Sequence, residues 1–260
     1  MKSVSSLSML GWALNEEANL AAYVDRAHAF LEAHADEYEL VVVDDGSTDR
    51  TWDIARELQR TRPWLRPYRN DRNRGSGYNM KRAISLASKD YLLCQTVDWS
   101  YDIGKLGEAL PLLQEYDLLQ GVRPHESLLK GLLNGRSDNS YKAFISISNY
   151  LLVRVLFGMP AHDFQNVTVY PRALAQSLEL ESESAFTNPE GLLKAWWRGA
   201  TVKEIPVPFL KRQKGKAKGT RPMTILRSTR DVLYWWYRWV VREGRPRKGR
   251  GRLVPYWAAG

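Results

Sequence analysis

Glu39-Leu40-Val41-Val42-Val43-Asp44-Asp45-Gly46-Ser47-Thr48-Asp49-Arg50-Thr51 joins an apolar run to a cluster of turn residues. Leu40 to Val43 is apolar without polar alternation, the pattern of a strand covered on both faces, as in a parallel sheet between two helix layers. Asp44, Asp45, Gly46 and Ser47 are turn residues, and Ser47 or Thr48 suits the cap of an amphipathic helix over Trp52 to Gln59. A strand that ends in two carboxylates before a helix sets those acids at the carboxyl edge of a sheet, where open α/β folds hold ligands. Asx turns use the same chemistry, so spacing alone leaves a plain turn and a ligand site both open.

Working outward, Ser3 to Leu14 reads as a first strand, and Asn15 as the cap of a helix carrying Leu20, Tyr23, Val24, Ala27 and Phe30 at helical spacing. Arg66 to Asn70 is a third strand, followed by the loop Asn73-Arg74-Gly75-Ser76-Gly77 and a helix over Met80 to Ala87. Gly75 and Gly77 let backbone amides approach an anion there, although a simple tight turn has the same residues. Asp90 to Val97 is a fourth strand, running into Asp98-Trp99-Ser100-Tyr101-Asp102, and Asp117 to Gly121 is the next. Tyr141 to Phe157 is an apolar helix that either packs on the sheet or lies at an interface, with Lys142 and Ser146 one turn apart.

A chain of 260 residues suits one α/β domain and a tail. Its single cysteine, Cys94, excludes an intrachain disulfide and reads as a small buried apolar residue. Charge is unevenly placed: Lys211 to Arg252 holds 15 Lys and Arg against Asp231 and Glu243, a local +13, so in a chain of +9 the remainder carries −4. A basic tail on an acidic body points to an anionic surface as partner. Within it, Met223 to Val241 interleaves Trp235, Trp236 and Trp239 with Arg227, Arg230 and Arg238, as a helix lying among lipid headgroups requires. Single-stranded nucleic acid would use similar residues, but no nucleic-acid motif accompanies them, and no nucleic-acid partner is expected. No run reaches the ~18 apolar residues of a membrane span, and Met1 to Leu7 has no signal-peptide core. The expected location is the cytoplasm, peripheral on the inner face of the cell membrane.

Val43-Asp44-Asp45-Gly46-Ser47-Thr48-Asp49 resembles the strand end of the family 2 inverting glycosyltransferases with the GT-A fold, a doubly wound, Rossmann-like mixed sheet. Asn15-Glu16-Glu17-Ala18-Asn19-Leu20 is similar to that family's first loop, and Asn188-Pro189-Glu190-Gly191 with Val202 to Val207 to its last helix and strand. The resemblance implies nucleotide-sugar contacts at Ala13, Asn15, Glu16, Asp44, Asp45, Gly46, Ser47, Asn73, Arg74, Gly75, Gly77, Val97 and Asp98. It also implies a divalent Mg²⁺ or Mn²⁺ held by Asp98 with Ser100. The family's Asp-x-Asp reads Thr96-Val97-Asp98 here, so its first acid is missing. The pattern further resembles the polyprenyl-phosphate branch, of dolichyl-phosphate mannosyltransferase type, in which Arg123, Lys142, Ser146 and Arg212 match residues that hold a lipid phosphate.

These readings divide the chain into a transferase domain over 1–210, a basic acceptor loop over 211–222 and an amphipathic, basic membrane-surface segment over 223–260. The expected reaction moves one hexose from a GDP- or UDP-linked sugar to a polyprenyl phosphate, with inversion. A phosphate is already an anion near neutral pH and needs no protein base. Transfer to a sugar hydroxyl needs a carboxylate base, for which Asp163 stands out, with Thr96, Asp102, Gln165 and Glu190 as supporting or alternative groups. A nucleotide-sugar or membrane-binding protein without catalysis is the remaining class. Sugar, base, prenyl length and any homo-oligomer stay open.

Overall fold

A computed structural model describes residues 2–123, 140–164, 167–208, 210, 222–246 and 250–258, with the backbone alone at 140–147, 149 and 222–225. Among these described residues, one sheet of eight strands has the order β3-β2-β1-β4-β6-β5-β7-β8. The strands are β1 Val4–Ala13, β2 Ala35–Asp44, β3 Leu65–Arg69, β4 Tyr91–Cys94, β5 Leu118–Val122, β6 Thr168–Pro171, β7 Val202–Pro206 and β8 Leu253–Val254. Only β6 runs antiparallel to its neighbours, β4 and β5. The other pairs are parallel, so the carboxyl ends of β1, β2, β3, β4, β5 and β7 share one edge with the segment entering β6.

The helices are α1 Leu20–His34, α2 Thr51–Gln59, α3 Ser76–Leu86, α4 Gly104–Glu108, α5 Ser140–Phe157, α6 Arg172–Ser177, α7 Thr187–Trp197 and α8 Pro222–Trp236. They cover both faces. Val41 and Val43 point into a core with Met80, Ala83, Phe157, Leu193 and Trp239, whereas Leu40 and Val42 point into a second core with Leu20, Val24, Leu31 and Ala55. Alternate residues of β2 therefore face two dry layers, which is why its sequence shows no polar alternation.

Several boundaries differ from the sequence reading. β2 starts at Ala35, and α1 starts at Leu20 with Asn19 before it, so Asn15 does not cap it. Ser47 and Thr48 do not cap α2; the Asp49 carboxylate accepts the Thr51 N–H instead, at 3.0 Å. In α8 and the helical turn Tyr237–Arg242 that continues it, the tryptophans face inward: Trp239 is fully buried against Phe157, Phe186 and Trp197, and Trp235 and Trp236 pack on the same core. Positions 232, 235 and 239 recur at helical spacing on the core side, where an indole removes more apolar surface from water than it would at a bilayer rim. Beyond it, Leu253 and Val254 return to pair with Val202 and Lys203 of β7.

Glu39 is a charged residue inside β2 and is only 3% exposed. It accepts hydrogen bonds from the Ser8 hydroxyl at 2.7 Å, the Ser88 N–H at 2.6 Å and the Arg66 guanidinium at 2.5 Å. Burial raises its pKa, but these donors outweigh it and hold the carboxylate below its ordinary value. As pH falls, the unfolded chain takes up this proton first, so the stability Glu39 contributes is present near neutrality and lost in acid. Melting temperatures from about pH 6 to about pH 3 should therefore fall more steeply for the native chain than for Glu39→Gln, the two curves converging in acid. Parallel curves would show that the carboxylate contributes nothing ionic.

Candidate active site

At the carboxyl edge, the end of β1 and the turn after β2 are laced together. The Asp45 N–H donates to the Ala13 carbonyl at 2.8 Å. Asn15 adopts a left-handed backbone (φ +56°) that points its N–H at the Ser47 hydroxyl, 3.0 Å away, while its side-chain oxygen accepts the Thr48 N–H at 2.9 Å. Glu16 donates its N–H to the Thr51 hydroxyl at 2.8 Å. These bonds place Ala13, Asn15, Glu16 and Ser47 around one turn.

The two acids of that turn do different things. Asp45 is 4% exposed and spends both oxygens on the next loop, accepting the Arg74 N–H at 2.7 Å, the Gly75 N–H at 3.0 Å and the Asn70 amide at 2.8 Å. Gly46, with φ +71°, lies so close to this loop that a Cβ would sit 2.6 Å from the Arg72 carbonyl carbon and 3.0 Å from the Asn73 nitrogen. Only glycine fits there. Asp44 keeps one oxygen on the Ser47 N–H at 3.3 Å. Its Oδ2 is buried without an aligned hydrogen bond, 3.0 Å from Arg69 Nε in an ion-pair contact. Asp44 therefore retains acceptor capacity for a ligand N–H or O–H, which Asp45 has used. Arg69 belongs to no motif in the sequence; its signal is register, since Asp44 and Arg69 are direct cross-strand partners.

After β4, the Thr96 hydroxyl accepts the Ser100 N–H at 3.2 Å and the Ser100 hydroxyl donates to Asp98 at 2.5 Å. Thr96 thus closes the turn that presents Asp98, with Val97 buried beneath it. Two backbone bonds tie this turn to the segment after β7, Asp102 N–H to the Pro208 carbonyl and Leu210 N–H to the Ser100 carbonyl. Among the described residues no group of three or more His, Cys, Asp or Glu converges on a point. Asp98, with the Ser100 hydroxyl on it, could contribute one carboxylate to a Mg²⁺ or Mn²⁺ ion whose other ligands would be phosphate oxygens and water.

Past β5, the Arg123 guanidinium forks onto Asp163, Nε to Oδ2 at 2.6 Å and Nη2 to Oδ1 at 3.2 Å. Burial opposes the Arg123 charge, but the Asp163 carboxylate raises its pKa overall. Next to it, His162 lies 2.6 Å from Glu204 through Nδ1. Burial and the nearby Arg154 lower the His162 pKa, which makes this a neutral ring donating Nδ1–H to a fully buried carboxylate, a structural bond. Glu190, also fully buried, accepts the N–H groups of Glu181 at 2.6 Å and Ser182 at 2.8 Å and pairs with Lys194 at 2.7 Å. The side chains of Lys142 and Ser146, and residues Gln165 and Arg212, lie outside the described residues.

Residues 12–168, more than half the chain, match the family described as glycosyl transferase family 2. The chain belongs to that family. Among curated glycosyl transferase relatives, it is 27% identical over 233 residues to the glycosyltransferase AglD of Haloferax volcanii, an alignment covering 87% of this chain and 35% of that protein. It is 26% identical to the dodecaprenyl-phosphate galacturonate synthase of Rhizobium johnstonii, across 92% of this chain and 69% of that one. To the dolichol-phosphate mannosyltransferase of Pyrococcus furiosus it is 28% identical, across 85% and 62%. The chain thus spans about a third of the length of AglD and about two thirds of the other two. Its fold matches that of glucosyl-3-phosphoglycerate synthase from Mycobacterium tuberculosis, solved with Mn²⁺ and UDP, with a TM-score of 0.62, 19% identity and coverage of 94% and 82%. The mannosyltransferase PcManGT of Pyrobaculum calidifontis, solved with GDP-Man and Mn²⁺, matches with a TM-score of 0.61, 16% identity and coverage of 94% and 65%.

Because Asp45 closes the glycine loop through three hydrogen bonds, Asp45→Ala should lower the unfolding free energy by about 2–3 kcal/mol in urea titration. A loss below about 1 kcal/mol would mean that the loop holds without the carboxylate.

Proposed function

We propose that this glycosyl transferase family 2 chain moves one hexose from a GDP- or UDP-linked sugar to a polyprenyl phosphate at the cytoplasmic face of a membrane, inverting the anomeric carbon. The observation that carries the choice of acceptor is the fate of the candidate bases. A hydroxyl acceptor needs a carboxylate able to take its proton. Asp163 already holds Arg123 through both oxygens, Glu190 is fully buried on Lys194 and two backbone amides, and exposed Asp102 has one oxygen on the Gly104 N–H at 3.2 Å. A phosphate acceptor removes that need, since its second pKa near ~6 leaves it anionic at neutral pH.

The donor's base and ribose would lie along Ala13, Asn15, Glu16, Asp44, Asp45, Gly46 and Ser47, with Asn73, Arg74, Gly75 and Gly77 beside the diphosphate. Asp98 and Ser100 would hold Mg²⁺ or Mn²⁺, which when bound neutralises charge developing on the departing diphosphate. Arg123, aimed by Asp163, offers its remaining N–H groups to the acceptor phosphate, with Lys142, Ser146 and Arg212 as the further ligands that the family pattern assigns. Holding one anion opposite the leaving group in line is what inversion requires.

Membrane attachment would use the outer face of α8. Leu226, Leu233, Tyr234, Tyr237 and Val241 are exposed there beside exposed Arg227, Arg230 and Arg242, and Leu151 and Val155 are exposed on α5, which packs against α8. No helix among the described residues is long and apolar enough to cross a membrane. Apolar side chains flanked by Arg suit the headgroup boundary of an anionic bilayer.

Two experiments test this reading. Incubating the protein with labelled nucleotide-sugars and undecaprenyl phosphate, with and without Mn²⁺, should place label in the organic phase. Asp98→Ala should reduce that transfer by about 100-fold or more. Label confined to water-soluble product would point instead to a sugar hydroxyl as acceptor, and nucleotide binding without turnover to a binding protein. In flotation, the protein should rise with vesicles containing phosphatidylglycerol and stay down with phosphatidylcholine alone, and Leu233→Glu with Tyr237→Glu should abolish flotation. Equal recovery on both vesicle types would remove the electrostatic part of the proposal.

A further inference from the structure

Glu181 sits in the connection between α6 and α7, in none of the motifs discussed above, and gathers more donors than any surface carboxylate needs. Its Oε1 lies 2.9 Å from Lys194 Nζ and accepts the Trp239 indole N–H at 3.1 Å, and its Oε2 lies 2.6 Å from Arg238 Nη2. Arg245 approaches to 4.0 Å. Lys194 Nζ also stands 4.9 Å over the Trp239 ring. Two of these partners, Arg238 and Trp239, belong to the helical turn Tyr237–Arg242 that continues α8. Burial raises the Glu181 pKa, yet Lys194, Arg238 and the indole together hold it below its ordinary value, so the group stays charged.

On its other side, the same short segment forms the wall of the glycine turn before α3. A Cβ on Gly77 would clash with the Thr187 hydroxyl, the Glu183 carbonyl carbon and the Ser184 carbonyl oxygen, and one on Gly75 would lie 3.6 Å from the Glu183 oxygen. Lys81 of α3 pairs with Glu183 at 3.3 Å. The segment is rigid from within: Glu190 takes the N–H groups of Glu181 and Ser182, and the Thr187 hydroxyl donates to the Ser182 and Ser184 carbonyls at 3.0 and 2.8 Å. Residue 181 is thus linked through this frame to residues 183 and 184, two or three positions away, which stand against Gly75 and Gly77. An open cavity of about 450 Å³ marks the seam, bounded by Ser182, Glu183 and Ser184 on one side and Arg230, Asp231, Tyr234 and Trp235 of α8 on the other.

We infer that Glu181 is a positioning residue for the donor site, tying the C-terminal helix to the wall that sets the glycine turn against the nucleotide diphosphate. The inference rests on the donor-site reading above. It assigns a function in the donor half of the reaction to a helix whose outer face is proposed for lipid, so that seating of α8 and donor affinity are coupled. Coupling of this kind is reciprocal: whatever holds α8 in place tightens donor binding, and bound donor steadies α8.

The test titrates UDP and GDP, each with Mn²⁺, into the full chain and its variants by calorimetry, and follows hydrogen exchange at the amides of residues 74–79. The native chain should bind one of the two nucleotides and Asp44→Ala should lose it; failure of either result overturns the donor-site reading itself. Glu181→Gln should weaken nucleotide binding about fivefold or more, with faster exchange at residues 74–79. Arg238→Gln should change both in the same direction by less, and Glu37→Gln, an exposed ion-pair residue at the far end of β2, should change neither. Folded Glu181→Gln and Arg238→Gln with native affinity, even at a lower melting temperature, would overturn the coupling and leave Glu181 a stabilising residue only. If Glu181→Gln does not fold, Arg238→Gln decides alone.

Discussion

The carboxylate of Asp45 is the constraint on which the rest of the site depends. A buried charge is tolerated only when its oxygens are hydrogen-bonded, and here the available donors are the backbone amides of the following βα loop. One side chain thereby fixes two loops: the turn after β2 and the glycine loop after β3 cannot move apart without stripping a carboxylate of its partners. Gly46 makes the contact closer still, because no side chain stands between the turn and the Arg72–Asn73 backbone. What keeps unused acceptor capacity is the neighbouring acid, Asp44, itself buried with Arg69 beside it.

The same logic of buried charge repeats around the edge. Asp163 aims Arg123, Glu204 holds His162, and Glu190 pins the segment before α7. Asp163 lies ahead of β6, Glu204 on β7 and Glu190 within α7, and each orders a neighbouring loop through its hydrogen bonds. A site made this way has its polar frame settled before any ligand arrives, which is what positioning two anions against each other demands. The proposal of a phosphate rather than a hydroxyl acceptor builds on this, because carboxylates committed to the frame are poor proton acceptors.

The C-terminal region shows how the sheet edge and the helix layer share residues of similar type. Trp239 and the tryptophans near it contribute to the core beside Phe157 and Trp197, while leucine, tyrosine and arginine side chains on the opposite side of α8 face outward. The helix is therefore amphipathic in an unusual sense, with aromatic bulk inside and an apolar, basic face outside. Glu181 joins the helical turn that continues α8 to the body by charge, through Arg238 and the Trp239 indole.

The sequence by itself determined the alternation of strands and helices, because a continuous apolar run between turn residues admits few other structures, and Leu40 to Val43 is such a run. It also determined that Asp44 and Asp45 stand at a strand end, since they follow an apolar run and precede a turn; Asp98, expected at the end of a strand reaching Val97, lies instead in the turn after β4, which stops at Cys94. Tertiary structure alone decided which acid is available and which is spent. Asp44 and Asp45 are chemically identical and adjacent, and what distinguishes them is that the amides of Arg74 and Gly75, about thirty residues later, fall within 3.0 Å of one and not the other. Likewise, nothing in the local pattern around residue 239 separates a tryptophan in a headgroup layer from one in a core. Local patterns record how polar a position is, whereas the partner that satisfies it is set by strand order and by long-range register, which only the folded chain contains.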